Sequence, residues 1–216
     1  LGKGDKVTVC DGEGTDYLVE IEKIEDAVIN TRIVEAMKNA TEPPLKVTLF
    51  QGLPKSDKMD YIIQKAVELG INEIVPVITE RTVVKMDEKS GSKKYERWNR
   101  ISMEAAKQCN RGIIPKVGIP LSFKEALDNA KGSSLALIPY EKETGIKLKE
   151  VLSSSSSVEK VSVFIGPEGG FTETEIETAV SCGICPVTLG PRILRTETAG
   201  IAVLSILMYE LGDVGA

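Results

Sequence analysis

A chain of 216 residues, 42% hydrophobic and 27% charged, can bury one large core or two small ones and has the make-up of an ordinary globular protein. No apolar run approaches the ~20 residues that a membrane-crossing helix needs, and the start at Leu1-Gly-Lys-Gly-Asp5 has no signal-peptide core, so the expectation is a cytoplasmic protein without a membrane partner. The absence of histidine excludes Ser-His-Asp and Cys-His catalysis and His-ligated metals, leaving acid–base work to carboxylates, Lys, Tyr, thiols or water.

The formal charge of -5 hides a segregation. From Gln51 to Lys116 there are thirteen Lys/Arg against nine Asp/Glu, so the rest of the chain is strongly acidic. A local basic surface is what binding a phosphate backbone requires, although a solvated helix face accounts for the same count.

In chain order, residues 1 to about 42 read as β: Lys6–Cys10, a Gly-rich turn at Asp11-Gly-Glu-Gly14, Tyr17–Ile24, and Ala27–Val34. β-branched residues and closely spaced turns suggest a small antiparallel barrel or meander. Thr41-Glu-Pro-Pro44 is a linker, since two prolines block both helix and ladder. Beyond it, short apolar runs alternate with helices. Lys46–Phe50 precedes a helix from Asp57 to Leu69, capped by Ser56 and stopped by Gly70. Ile74–Ile78 precedes a helix from Lys94 to about Asn110, Lys116–Ile119 precedes Phe123–Ala130, and Leu135–Ile138 precedes Ile146–Leu152. This alternation implies an α/β fold, a mostly parallel sheet with helices on both faces.

Of four cysteines, Cys182 and Cys185 form a lone C-x-x-C with neither a second pair nor a histidine to complete a metal shell; they are expected to be small buried thiols, and no metal is expected. A nicotinamide-type Rossmann reading needs G-x-G-x-x-G after the first strand, and Gly52-Leu-Pro54 lacks it. Glu104, Gln108 and Arg111 are spaced to share one helix face, as a salt-bridged surface or as a phosphate and base contact.

Two late loops stand out. Val161–Thr172 carries Gly166-Pro-Glu-Gly-Gly170, where glycines remove side chains at a sharp turn and Pro167 stiffens it. Thr172 with Glu175 is a capping box that starts a helix at Glu173 and occupies its amides, against an open phosphate site there. Val187–Ala199 carries Arg192 and Arg195 around Ile193-Leu194, then Thr196 as the N-cap of a helix apolar nearly all round from Ala199 to Met208, hence buried.

Gly166-Pro-Glu-Gly-Gly-Phe-Thr172 with Leu189-Gly-Pro-Arg-Ile-Leu-Arg-Thr-Glu-Thr-Ala199 resembles the paired signature of the RsmE family, bacterial methyltransferases that modify N3 of a uridine in 16S ribosomal RNA. Lys65–Gly70, Glu80-Arg81, Arg97-Trp98 and Glu104–Arg111 are similar to further parts of the family pattern. The resemblance implies a SPOUT fold with a C-terminal trefoil knot over residues 45–216, S-adenosylmethionine as cofactor, and a PUA-like RNA-binding β-barrel over residues 1–42. Because the family normally has residues before the step matching Gly4-Asp5, that barrel is expected to be incomplete at its start.

The resemblance further implies site residues. Cofactor binding falls to Ile165, Gly166, Gly169, Gly170, Leu189, Gly190, Ile193, Leu194 and Thr196. Arg195 would stabilise the anion formed when uracil N3 loses its proton, with Glu197 or Glu168 as orienter or base. RNA contacts would come from Arg81, Lys85, Gln108 and Arg111, the substrate being small-subunit ribosomal RNA or the assembled 30S subunit, and the chain a homodimer. The competing readings are a non-catalytic RNA- or ribosome-binding module, and a Rossmann-like nucleotide enzyme with its ligand near Gly52.

Overall fold

The computed structural model describes residues 1–84, 88–155 and 157–215. The chain forms two compact units: Leu1–Glu42 with Ala106–Ile114, and Pro43–Ala105 with Pro115–Ala216. The first unit is therefore not the N-terminal segment alone.

In the first unit β1 (Lys6–Cys10), β2 (Thr15–Ile24) and β3 (Ile29–Lys38) form an antiparallel meander in that order. The β1–β2 turn is built by Asp11, whose carboxylate accepts the Glu13 and Thr15 N–H groups at 2.7 and 3.1 Å, with Gly12 and Gly14 at positive φ. Alternation sends Val19 and Ile21 inward, whereas every residue of β3 is exposed. The 106–114 segment joins this sheet through Gly14 N–H to the Gly112 carbonyl at 2.8 Å. A side chain at Gly112 would overlap Asn39.

The second unit holds a seven-stranded sheet, parallel at every pairing. Its strands are β4 (Lys46–Gly52), β5 (Glu73–Ile78), β6 (Lys116–Val117), β7 (Leu121–Ser122), β8 (Leu135–Pro139), β9 (Lys160–Ile165) and β10 (Cys185–Val187), ordered β10-β8-β9-β4-β5-β6 with β7 also on β5. Between them run α1 (Lys58–Glu68), α2 (Glu88–Gln108), α3 (Phe123–Ala130), α4 (Leu148–Ser153), α5 (Glu173–Ser181) and the terminal α6 (Thr196–Glu210).

Strands buried on both faces read as continuous apolar runs, and β9, KVSVFI, is buried from Val161 to Ile165. Phe50 and Phe164 stack at 4.5 Å on one face, under α3 and α5. On the other face α6 lies against Leu49, Gln51 and Ile165, where Gly200 allows close approach. Burying a side chain the size of Phe164 is worth roughly 2–3 kcal/mol, so the stacked pair anchors β9, the strand that carries the glycine loop, to its neighbour β4.

Several boundaries differ from the sequence reading. α1 begins one residue later than expected, with Asp57 at its N-cap and no side-chain cap; Ser56 cannot cap it because it sits at φ 56 before the turn closes. α2 starts earlier and ends at Gln108, so Arg111 lies beyond the helix and does not share its face. α4 begins at Leu148 rather than Ile146. Arg195, not Thr196, is the N-cap of α6, because the Thr196 hydroxyl is turned to the Gly166 carbonyl. α6 is not wholly buried: Ile206 and Tyr209 are exposed. Cys182 is an exposed free thiol rather than the buried one expected, as is Cys10, while burial pushes the half-buried Cys185 thiol up. The Thr172–Glu175 capping box and the span of α3 stand as read.

Candidate active site

Parallel strands send their following loops out at one edge of the sheet, the usual place for a ligand in an open α/β fold. Because β8 lies between β10 and β9, the loops after all three emerge side by side. Together they line a cavity of about 1130 Å³ bounded by Pro139–Glu141, Ile165–Phe171 and Thr188–Thr196, with Lys58 at its wall.

All nine residues expected to hold a cofactor line this one cavity, as do Glu168 and Arg195. The glycine turn cannot carry side chains. A Cβ at Gly166 would lie 3.0 Å from Gly170 Cα, one at Gly169 would crowd Arg81, and Gly170 has φ +66. Gly52, at the end of β4, packs so closely on Pro167 that a Cβ would sit 2.6 Å from its ring. The first strand's end is thus filled by the glycine loop, which removes the Rossmann-like site near Gly52.

Three side chains fix this turn. Arg81 Nη1 donates to the Gly169 carbonyl at 2.7 Å. Glu175 is buried; one oxygen accepts the Thr172 N–H and the other the Glu80 N–H, each at 2.9 Å, so the helix cap also ties the loop after β5 to the glycine turn. Glu168 accepts the Lys55 N–H and lies 3.1 Å from Lys58 Nζ. Burial pushes the Glu168 carboxyl up, but its own backbone N–H, the Lys58 ammonium and the Lys55 N–H outweigh it and hold the group below the usual carboxylate range.

Glu197 does not line the cavity. It sits behind Lys58, 3.2 Å from Nζ, and its Oε2 is buried without a hydrogen-bond donor among the described residues: the ion pair is close but off the hydrogen-bond line. Arg195 is exposed at the end of the loop, and Ile193 is 86% exposed at its rim.

The residues expected to contact RNA fall in different units. Arg81 belongs to the second unit and braces the glycine turn; Gln108 is exposed at the end of α2. Arg111 is only 8% exposed, and its guanidinium grips Glu42 through Nε and Nη2 at 3.3 and 2.6 Å, so its charge is neutralised inside the first unit. Lys85 lies outside the described residues.

Sequence reasoning missed Lys58, Gln51 and the wall after β8, including Tyr140 and Glu141. Glu143 shapes that wall by accepting the Gly145 and Ile146 N–H groups, which hold its carboxyl below the ordinary range. The only signal available was that a loop at the C-terminal end of a central parallel strand belongs to the site. Among the described residues no helix is long and apolar enough to cross a membrane, and no acidic or thiol cluster is placed to hold a metal.

Residues 41–208 match the family model described as an RNA methyltransferase domain. The ribosomal RNA small subunit methyltransferase E of Bacillus subtilis is 35% identical over 97% of this chain and 84% of its own. Two solved structures have TM-scores of 0.87: a methyltransferase of Legionella pneumophila with bound cofactor SAM, 34% identical over 99% of this chain and 86% of that one, and the ribosomal RNA small subunit methyltransferase E of Neisseria gonorrhoeae bound to S-adenosyl methionine, 33% identical over 99% and 86%. With a cavity assembled from the two signature loops and relatives matching almost end to end, the chain belongs to the RNA methyltransferase family, among the ribosomal RNA small subunit methyltransferase E proteins.

Proposed function

We propose that this protein methylates N3 of a uridine in 16S ribosomal RNA with S-adenosylmethionine as donor. The observation that carries this reading is the single cavity formed by the glycine turn and the Arg192–Thr196 bend. Its volume of about 1130 Å³ exceeds the ~300–1,000 Å³ of common small-molecule pockets, enough for a cofactor and a base together. A wall made largely of loop backbone offers amides and carbonyls to an adenine edge, and the carboxylates of Glu168 and Glu141 suit a positively charged group.

S-adenosylmethionine supplies a methyl group already activated on a sulfonium. What remains for the protein is alignment and the acidity of N3. Ile165, Gly166, Gly169, Gly170, Leu189, Gly190, Ile193 and Leu194 hold the cofactor through backbone and apolar contact, and Thr196 locks the two loops in register. Arg195 lines the same cavity, and its guanidinium is the group we assign to the negative charge that develops on the uracil oxygens. Glu168, already ionised and hydrogen-bonded, is a weak base and acts as an orienter; Glu197 acts through Lys58 rather than on substrate.

The finer features follow the same reading. The first unit's sheet serves as part of a PUA-like RNA-binding domain, the C-terminal segment from β9 to α6 forms the trefoil knot, and the exposed Ile206 and Tyr209 of α6 belong to a homodimer face. Arg81 acts on RNA only through the loop it braces, Gln108 offers a surface amide, and Arg111 is structural. The setting is the bacterial cytoplasm, with ribosomal RNA or the assembled 30S subunit as partner.

Calorimetry with S-adenosylmethionine, followed by mass mapping of 16S RNA from a strain lacking the protein before and after treatment with it, tests the reading. One new methyl on a uracil base is expected. Absence of cofactor binding at millimolar ligand, or binding of RNA without methyl transfer, would return the chain to the non-catalytic class.

A further inference from the structure

Lys58 stands where a helix start would not choose a lysine. It is the first residue of α1, and a cation there opposes the helix dipole. Asp57 before it provides no side-chain cap, and Ser56 is held at φ 56, a backbone conformation unfavourable for a non-glycine residue. Unfavourable local choices at consecutive positions mark a turn shaped for something other than helix stability.

What the turn secures is an ion bridge between three segments. Lys58 Nζ lies 3.1 Å from Glu168 Oε1 on the glycine loop and 3.2 Å from Glu197 Oε2 at the start of α6. Lys55 N–H also reaches Glu168, at 3.1 and 3.3 Å from its two oxygens. Lys58 and Glu168 line the cavity while Glu197, partly exposed but with its Oε2 buried, stays behind, so one ammonium separates that oxygen from the ligand space. Within the bridge two carboxylates share one cation.

We propose that Lys58 is a positioning residue for methyl transfer: sharing its ammonium between Glu168 and Glu197, it pins the ionised Glu168 carboxylate to the cavity wall and ties the glycine loop to α6. The proposal rests on the methyltransferase reading. Removing the ammonium leaves two carboxylates converging on an empty position, and like charges so placed raise the pKa of one of them. Lys58 from α1 is the charged side chain on Glu168, and Glu197 from α6 meets the same ammonium from its other side; Arg81, from the loop after β5, holds the adjacent Gly169 carbonyl. The Lys58 ammonium is itself held protonated, first by its bond to Glu168 and then by Glu197 against the effect of burial, so it serves as a cation and not as a base.

The test compares Lys58→Met, Lys58→Arg and the charge-balanced Lys58→Met/Glu197→Gln in the full chain. The Glu168 carboxyl is titrated by carbon NMR, and kcat is recorded against pH with S-adenosylmethionine affinity measured separately. In Lys58→Met the Glu168 titration moves up and the acid limb of kcat moves with it. Lys58→Arg restores both, and the double variant, which keeps the charge balance and hence the fold, returns Glu168 toward its original titration. An unmoved Glu168 titration in Lys58→Met overturns the proposal whatever the activity. A moved titration with an unmoved kcat profile overturns the positioning role. If the wild-type chain transfers no methyl while Glu168 responds as described, the methyltransferase reading has failed and the ion bridge stands.

Discussion

Gln51 and Thr196, 145 residues apart in sequence, meet in the core: Gln51 Nε2 donates to Thr196 Oγ1 at 2.8 Å, and that hydroxyl donates onward to the Gly166 carbonyl at 2.6 Å. Gln51 is fully buried and its Oε1 has no donor among the described residues, so the amide is held by its nitrogen end. One hydrogen-bond chain thus joins β4, the glycine loop and α6. The register of the two signature loops depends on it.

Thr196→Val keeps the shape of the side chain and removes the relay. The Gly166 carbonyl loses its donor and Gln51 Nε2 retains only the Gly52 carbonyl. Leaving buried polar groups unmatched costs about 1–3 kcal/mol, to be read as a lower urea midpoint at unchanged slope. S-adenosylmethionine affinity should weaken with it, and Thr196→Ser should recover both. Unchanged stability and affinity in Thr196→Val would remove the relay from the argument.

Arg195 is exposed on the cavity while its backbone caps α6, with its carbonyl accepting the Thr198 and Ala199 N–H groups at 2.9 and 2.8 Å. Arg195→Ala therefore leaves the helix start intact. Loss of one preformed donor to developing charge lowers kcat by roughly 10²–10³-fold, with cofactor affinity by calorimetry unchanged. Turnover at the wild-type rate would refute the catalytic role.

What the sequence disclosed was mostly local. The Thr172–Glu175 box and α3 were legible because their determinants lie within four residues, and the two late loops because their glycines announce turns. Lys58 was not, since its partners sit on segments far along the chain and a lysine in an amphipathic helix looks like any solvated cation. Arg111 misled for the same reason. Helical spacing put it on a shared face, but Asn110 at φ 58 ends the helical path and Glu42, 69 residues away, captures the guanidinium. Strand order was hidden too: inserting β9 between β8 and β4 is a long-range pairing with no local signature.

That Arg111–Glu42 pair carries its own prediction. Glu42 also accepts the Ile113 N–H at 2.9 Å, so the pair fastens the 106–114 segment. Arg111→Ala strands a partly buried carboxylate and should cost about 3–5 kcal/mol, whereas Arg111→Met with Glu42→Gln should cost much less. Filter binding to 16S RNA, at a temperature where Arg111→Ala is folded, should show wild-type affinity. A selective loss of RNA binding at full stability would make Arg111 an RNA contact after all.

The Glu168 carboxyl also leaves a mark on stability against pH. Its folded pKa lies below the ordinary value of 4.5, so between the two values the unfolded chain binds more protons than the folded one. The stabilisation is therefore fully present above about 4.5 and is lost as pH falls through the lower folded value. Glu173, drawn down by the Lys142 ammonium, and Glu143, drawn down by the Ile146 and Gly145 N–H groups, act in the same direction, so the acid limb has several contributors. Glu168→Gln removes one of them. Urea midpoints measured from about pH 6 to about pH 3 should start lower in this variant, fall less steeply than wild type, and converge with it at the acid end. Parallel curves with a constant offset would mean that Glu168 is not held in its ionised form by Lys58 and Lys55, and the wall of the cavity would have to be redrawn.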